Sequence, residues 1–348
     1  MRSLGIVLLM VVACHRDEGP RAQRTHAPPP APRARPTAPA AASAPTDAFL
    51  VATKLERISL EPLRWKRAGH LWQRGATARA PLDLGDVAAM RSHVFDDDYW
   101  YEARCTAGCD VSHGATHTLS RVDRRSGART VLATEASGGD DFSGLRIAGP
   151  YLLWSSFSGY GDYGAVSRVH RDGGRVELLW EDAAIVDFAQ HADGILAWSL
   201  GAVAWIPDGG PAQVLARGLR DVRGAALDET TVYISERGDP YWRSADSGRI
   251  LSVPRAGGPP KVLVGPVRWP AGVAVDDRAV YWILEQRQVV FAAPKAGGAT
   301  RELALPPLVG ADPDCAQTIG LAPDPAGLYV LRSGGGDCGD SLSFVPTR

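Results

Sequence analysis

Trp269-Pro270-Ala271-Gly272-Val273-Ala274-Val275-Asp276-Asp277-Arg278-Ala279-Val280-Tyr281-Trp282 is the stretch that decides the fold of this chain. Two short apolar runs alternate about an Asp-containing turn, the pattern of two half-buried antiparallel strands. A polar stretch follows, then residues 289–294, a Gly297-Gly298 turn and residues 300–305, which supply two more runs. Tandem glycines provide the positive φ that a tight hairpin needs. The copy before it reads the same way: residues 223–234, then 249–254, Gly257-Gly258 and 261–264.

Taking the aromatic position of the second run as a marker gives Tyr99, Leu153, Ala197, Tyr233, Tyr281 and Tyr329. Four strands per unit at a period of this size predict an all-β protein, a β-propeller, and six markers predict six blades. The chain stops at residues 342–346, short of the last copy's fourth strand. Residues 79–84 match a third-to-fourth phrase and are expected to supply that strand from the N-terminal side. A seventh blade built from residues 49–71 is the alternative, although that segment lacks the marker. Trp100, Trp154, Trp198 and Trp282, with Ile234 and Val330 in the other copies, predict an aromatic layer packed between blades. Asp193, Asp228, Asp276 and Asp324 recur just before the marker, where their side chains are expected to bond turn amides.

These phrases resemble the six-bladed TolB-like propellers, specifically the YWTD repeats of low-density lipoprotein receptors. Residues 269–276 with Val280-Tyr281-Trp282 match the first-to-second strand phrase, and Pro-x-Gly-Gly matches the third-to-fourth turn. The resemblance covers about residues 85–348. Ile283-Leu284 stand where the family has Thr-Asp, so its inter-blade Asp pairing does not carry over. The resemblance implies a fold; receptors, scaffolds, lactonases and quinone-dependent dehydrogenases share it, and function has to come from a site.

The N-terminus carries an address. Arg2 precedes an apolar segment, residues 4–13, that closes on Val11-Val12-Ala13-Cys14. It is too short to span a bilayer and has the layout of a signal peptide. Its last four residues resemble the lipobox of bacterial lipoproteins. That likeness implies that residues 1–14 are a signal ending at Cys14, which becomes the lipidated N-terminus. His15, where an Asp would retain the protein at the inner membrane, implies the outer membrane. Acyl chains anchor by burying methylenes, without a spanning helix. Residues 15–47 are rich in Pro, Ala and Arg and are expected to be a disordered tether, with the propeller occupying residues 48–348. Across 348 residues, 38 Lys and Arg against 39 Asp and Glu exclude a dedicated, strongly basic nucleic-acid binder.

Candidate chemistry is sparse. Cys105, Cys109, His113 and His117 are evenly spaced and suit zinc, but an exported protein oxidises neighbouring thiols, so a Cys105–Cys109 bridge is the first reading. Cys315 and Cys338 are the second candidate bridge. The loops that lead into each first strand should ring the mouth of the central channel: His93, Ser143, Asp187, Arg223, Arg268 with Trp269, and Gln317. Their types change from copy to copy, as a specific ligand pocket would require. Tyr160, Tyr163, Tyr241 and Trp242 sit in polar loops with the composition of a contact surface. No G-x-S-x-G, H-E-x-x-H or phosphate-loop motif is present, and no catalytic residue or cofactor is predicted. The expected function is a monomeric, lipid-anchored binding or scaffold propeller, facing the periplasm or the cell surface. Its partner would be an envelope protein, peptidoglycan or a small ligand. The competing class is a metal-dependent hydrolase or lactonase, or a quinone-dependent oxidoreductase, with Asp187, Glu236 and Glu285 as contributors at the mouth.

Overall fold

The computed structural model describes the backbone of strands 7–8, 49–55, 57–60, 63–67, 70–73 and 82–86. Beyond these it describes residues 93–96, 98–107, 116–123, 125–136, 141–157, 163–238, 247–284, 289–305, 316–334 and 340–347. Every element is a strand, and the strands pair into six four-stranded sheets and one five-stranded sheet, all antiparallel between chain neighbours. The six marked copies are blades II (93–136), III (141–182), IV (185–217), V (222–267), VI (270–303) and VII (316–346). Residues 57–86 form a seventh sheet, blade I.

The first strands of successive sheets touch one another in series: II to III, III to IV, and on through VII to I. The fourth strand of each lies at the far edge. Sheets that meet by their first strands and diverge to their fourth stand radially about an axis, which is the propeller arrangement. A two-residue strand, Val7–Leu8, pairs with the axial strand of blade VII, Ala316–Asp324.

Closure differs from the sequence expectation. The last strand, Asp340–Pro346, pairs with Phe49–Leu55, with Phe49 opposite Phe344 and Leu50 opposite Ser343. Residues 79–84 do not close the ring: Leu82–Asp86 is the outer strand of blade I, paired with His70–Gln73. That phrase is a genuine fourth strand, but it belongs to a blade without a Tyr marker or Gly-Gly turn, and so escaped the count.

The aromatic layer also departs from a single radius. Trp154 packs on Tyr101 and Leu119 of the preceding blade, and Trp282 on Tyr233 and Ile250 of its preceding blade. Trp198 is turned the other way, against Val222 and Ile234 of the following blade. In blade II the marker is Tyr101 rather than Tyr99, because the Tyr101 hydroxyl donates to the Asp96 turn carboxylate. Glu102 therefore stands where Trp154 and Trp282 stand in their blades. Trp154, Trp198 and Trp282 are fully buried, whereas Trp100 is half-buried.

Exposed outer strands invite edge-to-edge pairing. The third-to-fourth pairing of blades I to V is broken by bulges, which twist the outer strand out of register.

Candidate functional site

A second set of bulges lies on the axial side. In blades III to VII the first strand is irregular within its first few residues: Ser143/Arg146, Ile185/Asp187, Val222/Gly224, Pro270/Val273 and Thr318/Gly320. A bulge re-aims the side chains beside it. All five sit at the same end of their strands, the end at which the sequence reading set the mouth of the channel. Ser143, Asp187 and Arg223 lie in or at the edge of these segments, Gln317 just before one and Arg268 and Trp269 just before another, and His93 opens its strand. The side chains of His93, Ser143 and Gln317 are outside the described residues.

Two buried ionic clusters organise the mouth. Between blades III and IV, Arg146 donates to Asp187 at 3.2 Å and to the Phe188 carbonyl, its guanidinium stacked 4.6 Å from the Phe188 ring. The Phe188 N–H donates to Asp187 Oδ1 at 2.8 Å. Gly144 makes this possible: its φ is +65°, and a Cβ there would lie 3.1 Å from the Phe188 ring.

Blade V holds the second cluster. Asp221, buried and left-handed at φ +60°, accepts from Arg237 Nε at 2.5 Å and lies 2.9 Å from Arg223 Nε. Glu236, fully buried, takes Arg249 at 2.7 Å and the Arg220 N–H at 2.7 Å. The Arg237 and Gly238 N–H groups donate to the Asp221 and Arg220 carbonyls, tying strand end to loop. Buried charge is tolerated only when paired and hydrogen-bonded, and here both carboxylates are. Beside this cluster Arg268 is exposed, its guanidinium 5.0 Å from the Trp269 ring centroid, and Trp269 itself has φ +42°. Blade II contributes a fourth buried carboxylate, Glu102, held by Arg104 at 3.1 Å and by Arg129.

Elsewhere the candidates scatter. Cys105 lies in strand Tyr99–Ala107 rather than in a loop, with its Cα opposite that of buried His117. Cys109, His113, Cys315, Cys338, Glu285, Tyr160, Tyr241 and Trp242 are outside the described residues, and Tyr163 is half-buried. Among the described residues no three His, Cys, Asp or Glu side chains converge on a point where a metal would sit.

At the opposite end of the blades the recurring Asp residues bond turn amides as expected, except Asp193, and extend into a latch that sequence reading missed. Asp228 Oδ1 accepts the Thr230 and Thr231 N–H groups, and the Tyr233 hydroxyl donates to Oδ2 at 3.2 Å. Asp276 does the same for Arg278, Ala279 and Tyr281, and Asp96 for Asp98, Tyr99 and Tyr101. Asp324 accepts the Ala326 N–H. Asp193 makes no such turn bond and is held by Arg255 instead. Burial raises all three tyrosines, Tyr101 and Tyr233 to about 12. Three of these carboxylates also reach the next blade: Asp96 takes Arg171, Asp193 takes Arg255, and Asp228 takes Lys295 at 2.5 Å. The basic residue comes from the third-to-fourth turn of the following blade, next to its glycine pair. Blade III has no turn Asp, and blade IV has Asp208 where the cation would be. That matched absence was the readable signal.

No family model matches the chain, and no curated protein matches it. Among solved structures it is similar to a chain of a nidogen/laminin complex, at 15% identity over 67% of this chain and 90% of that one, with a TM-score of 0.38. It is similar to a prolyl endopeptidase at 12% identity and a TM-score of 0.49, covering 86% of this chain and 51% of that one, about half its length. Sqt1 of Saccharomyces cerevisiae matches at 12% identity over 84% of this chain and 83% of its own, with a TM-score of 0.48. At these identities the likeness is one of fold.

Proposed function

We propose that this chain is a non-enzymatic binding propeller, held at the cell envelope by a lipidated Cys14 and presented on the tether of residues 15–47. The observation that carries the reading is the state of the mouth carboxylates. Asp187, Asp221 and Glu236 are each engaged by guanidinium groups, and by backbone amides at Asp187 and Glu236. A hydrolase would present such groups to substrate as a base or a metal donor. Here they serve as counter-charges that fix arginines in place, while Arg268 is exposed beside the half-buried Trp269. Convergent polar and aromatic groups over a concavity suit recognition of a ligand more than its conversion.

The test is crosslinking of the intact envelope with a photoreactive residue at position 268, followed by mass spectrometry. The reading expects a discrete adduct of a protein, a cell-wall fragment or a small molecule. A mouth that stays free of adducts, in a protein that hydrolyses a lactone or reduces a quinone, would contradict it.

A further inference from the structure

We infer that the central channel receives an extended apolar peptide segment, which adds as a strand to the axial edge of blade VII. The inference rests on the binding reading above and names the class of ligand. The chain seats such a segment of its own there. Val7–Leu8 runs antiparallel to Ala316–Asp324, with Val7 opposite Leu321 and Leu8 opposite Gly320. In the order of that sheet it lies beyond the first strand, on the side away from the rest of the blade. It also touches the first strands of blades I, IV, V and VI. One short strand can meet the first strands of five blades only on the axis they share.

The wall suits that occupant. The axial edge of a first strand has no partner within its own blade, and its N–H and C=O groups can pair with any added strand. At the depth of the pairing the wall carries no charge: residues 224–227 of blade V, 271–275 of blade VI and 320–323 of blade VII contain no ionisable side chain. A charged ligand would lose its hydration there without a counter-ion, whereas an apolar strand recovers its backbone bonds. Glycine stands at the same place in all three strands, at positions 224, 272 and 320. A glycine inside a strand often marks the close approach of another backbone. At Gly272 the blade itself does not demand it, since a Cβ would meet only the Ile283 side chain, at 3.7 Å. Residues 4–13, an uncharged apolar run, are the kind of peptide this wall accepts. Cleavage before Cys14, on the reading above, frees the site in the mature protein. Leu321 lies farther from the mouth than Gly320, so the strand from Val7 to Leu8 points toward the mouth.

The test is fluorescence anisotropy of a labelled synthetic peptide of residues 2–12, titrated with the mature chain, residues 14–348, without its acyl groups. The inference expects saturable binding. The whole chain, residues 1–348, should bind the peptide at least about tenfold more weakly, because its own segment competes at high effective concentration. A peptide with Val7→Pro and Leu8→Pro stays apolar but cannot donate to a strand, and should lose about tenfold or more in affinity. A photoreactive leucine at position 8 of the peptide should attach to the first strands, chiefly within residues 316–324. No binding, equal binding of the proline peptide, or attachment confined to the outer strands would overturn the inference. If crosslinking at position 268 still captured a partner, the binding reading would stand without it.

Discussion

His191 shows what burial does to one residue. It ends the first strand of blade IV against the Trp205 ring, 5.9 Å away, and its Nε2 is buried without a partner. Burial pushes its pKa down to about 4, with Asp193 pulling up and Arg255 pushing further down. An unfolded His takes its proton near pH 6.5. As the pH falls through 6.5 the unfolded chain is protonated first, so stability present at neutral pH is lost between 6.5 and about 4. At pH 5 the loss should be about 2 kcal/mol. Urea unfolding at pH 7 and pH 5 measures it, and His191→Leu should remove that share of the pH dependence. A midpoint in the variant that drops as far as in the parent would contradict the assignment.

At the scale of the element, the recurring unit is a turn Asp, a Tyr five residues on, and a cation from the next blade. Asp228 is the fullest example. Burial works to raise its pKa, but Lys295 and the Thr230 and Thr231 amides outweigh it and hold it below the usual carboxylate range. Its stabilising share is therefore present at neutral pH and lost in acid. Ion pairs open to solvent contribute little, typically up to about 1 kcal/mol. A double-mutant cycle of Asp228→Asn and Lys295→Met should give a coupling of about 0.5–1 kcal/mol, read from chemical unfolding. Additive single mutants would show that the contact binds nothing together. The sequence made the strands and turns legible because alternation and tandem glycines are local signals. The latch was harder to read for the opposite reason: Asp228 and Lys295 are far apart in the chain and meet only when the blades stack. The same limit misplaced the marker in blade II, where Tyr99 and Tyr101 share a face and only the bond to Asp96 tells them apart. It also hid the Asp221 cluster, whose partners are Arg223 in the first strand of blade V and Arg237 just past the end of the second.

For the whole molecule, two claims concern the N-terminal region. The first is anchoring. Cys14→Ser should move the protein from the membrane fraction to the soluble one and abolish incorporation of labelled fatty acid; retention of both properties would remove Cys14 from the account. The second is closure, on which the ring of sheets depends. Blade VII lacks a fourth strand of its own, and a propeller with an open blade would expose an unpaired edge. Phe49–Leu55 fills that place and ties residues near the start of the propeller to its last strand. Loop closure of this kind makes the blades rise or fall together. The direct measurement is disulfide trapping of two double-cysteine variants, Leu50→Cys with Ser343→Cys and Asp83→Cys with Ser343→Cys, with the linked peptides identified by mass spectrometry. A link between positions 50 and 343, and none between 83 and 343, is the predicted result. The reverse would return the closing strand to residues 79–84 and dissolve blade I.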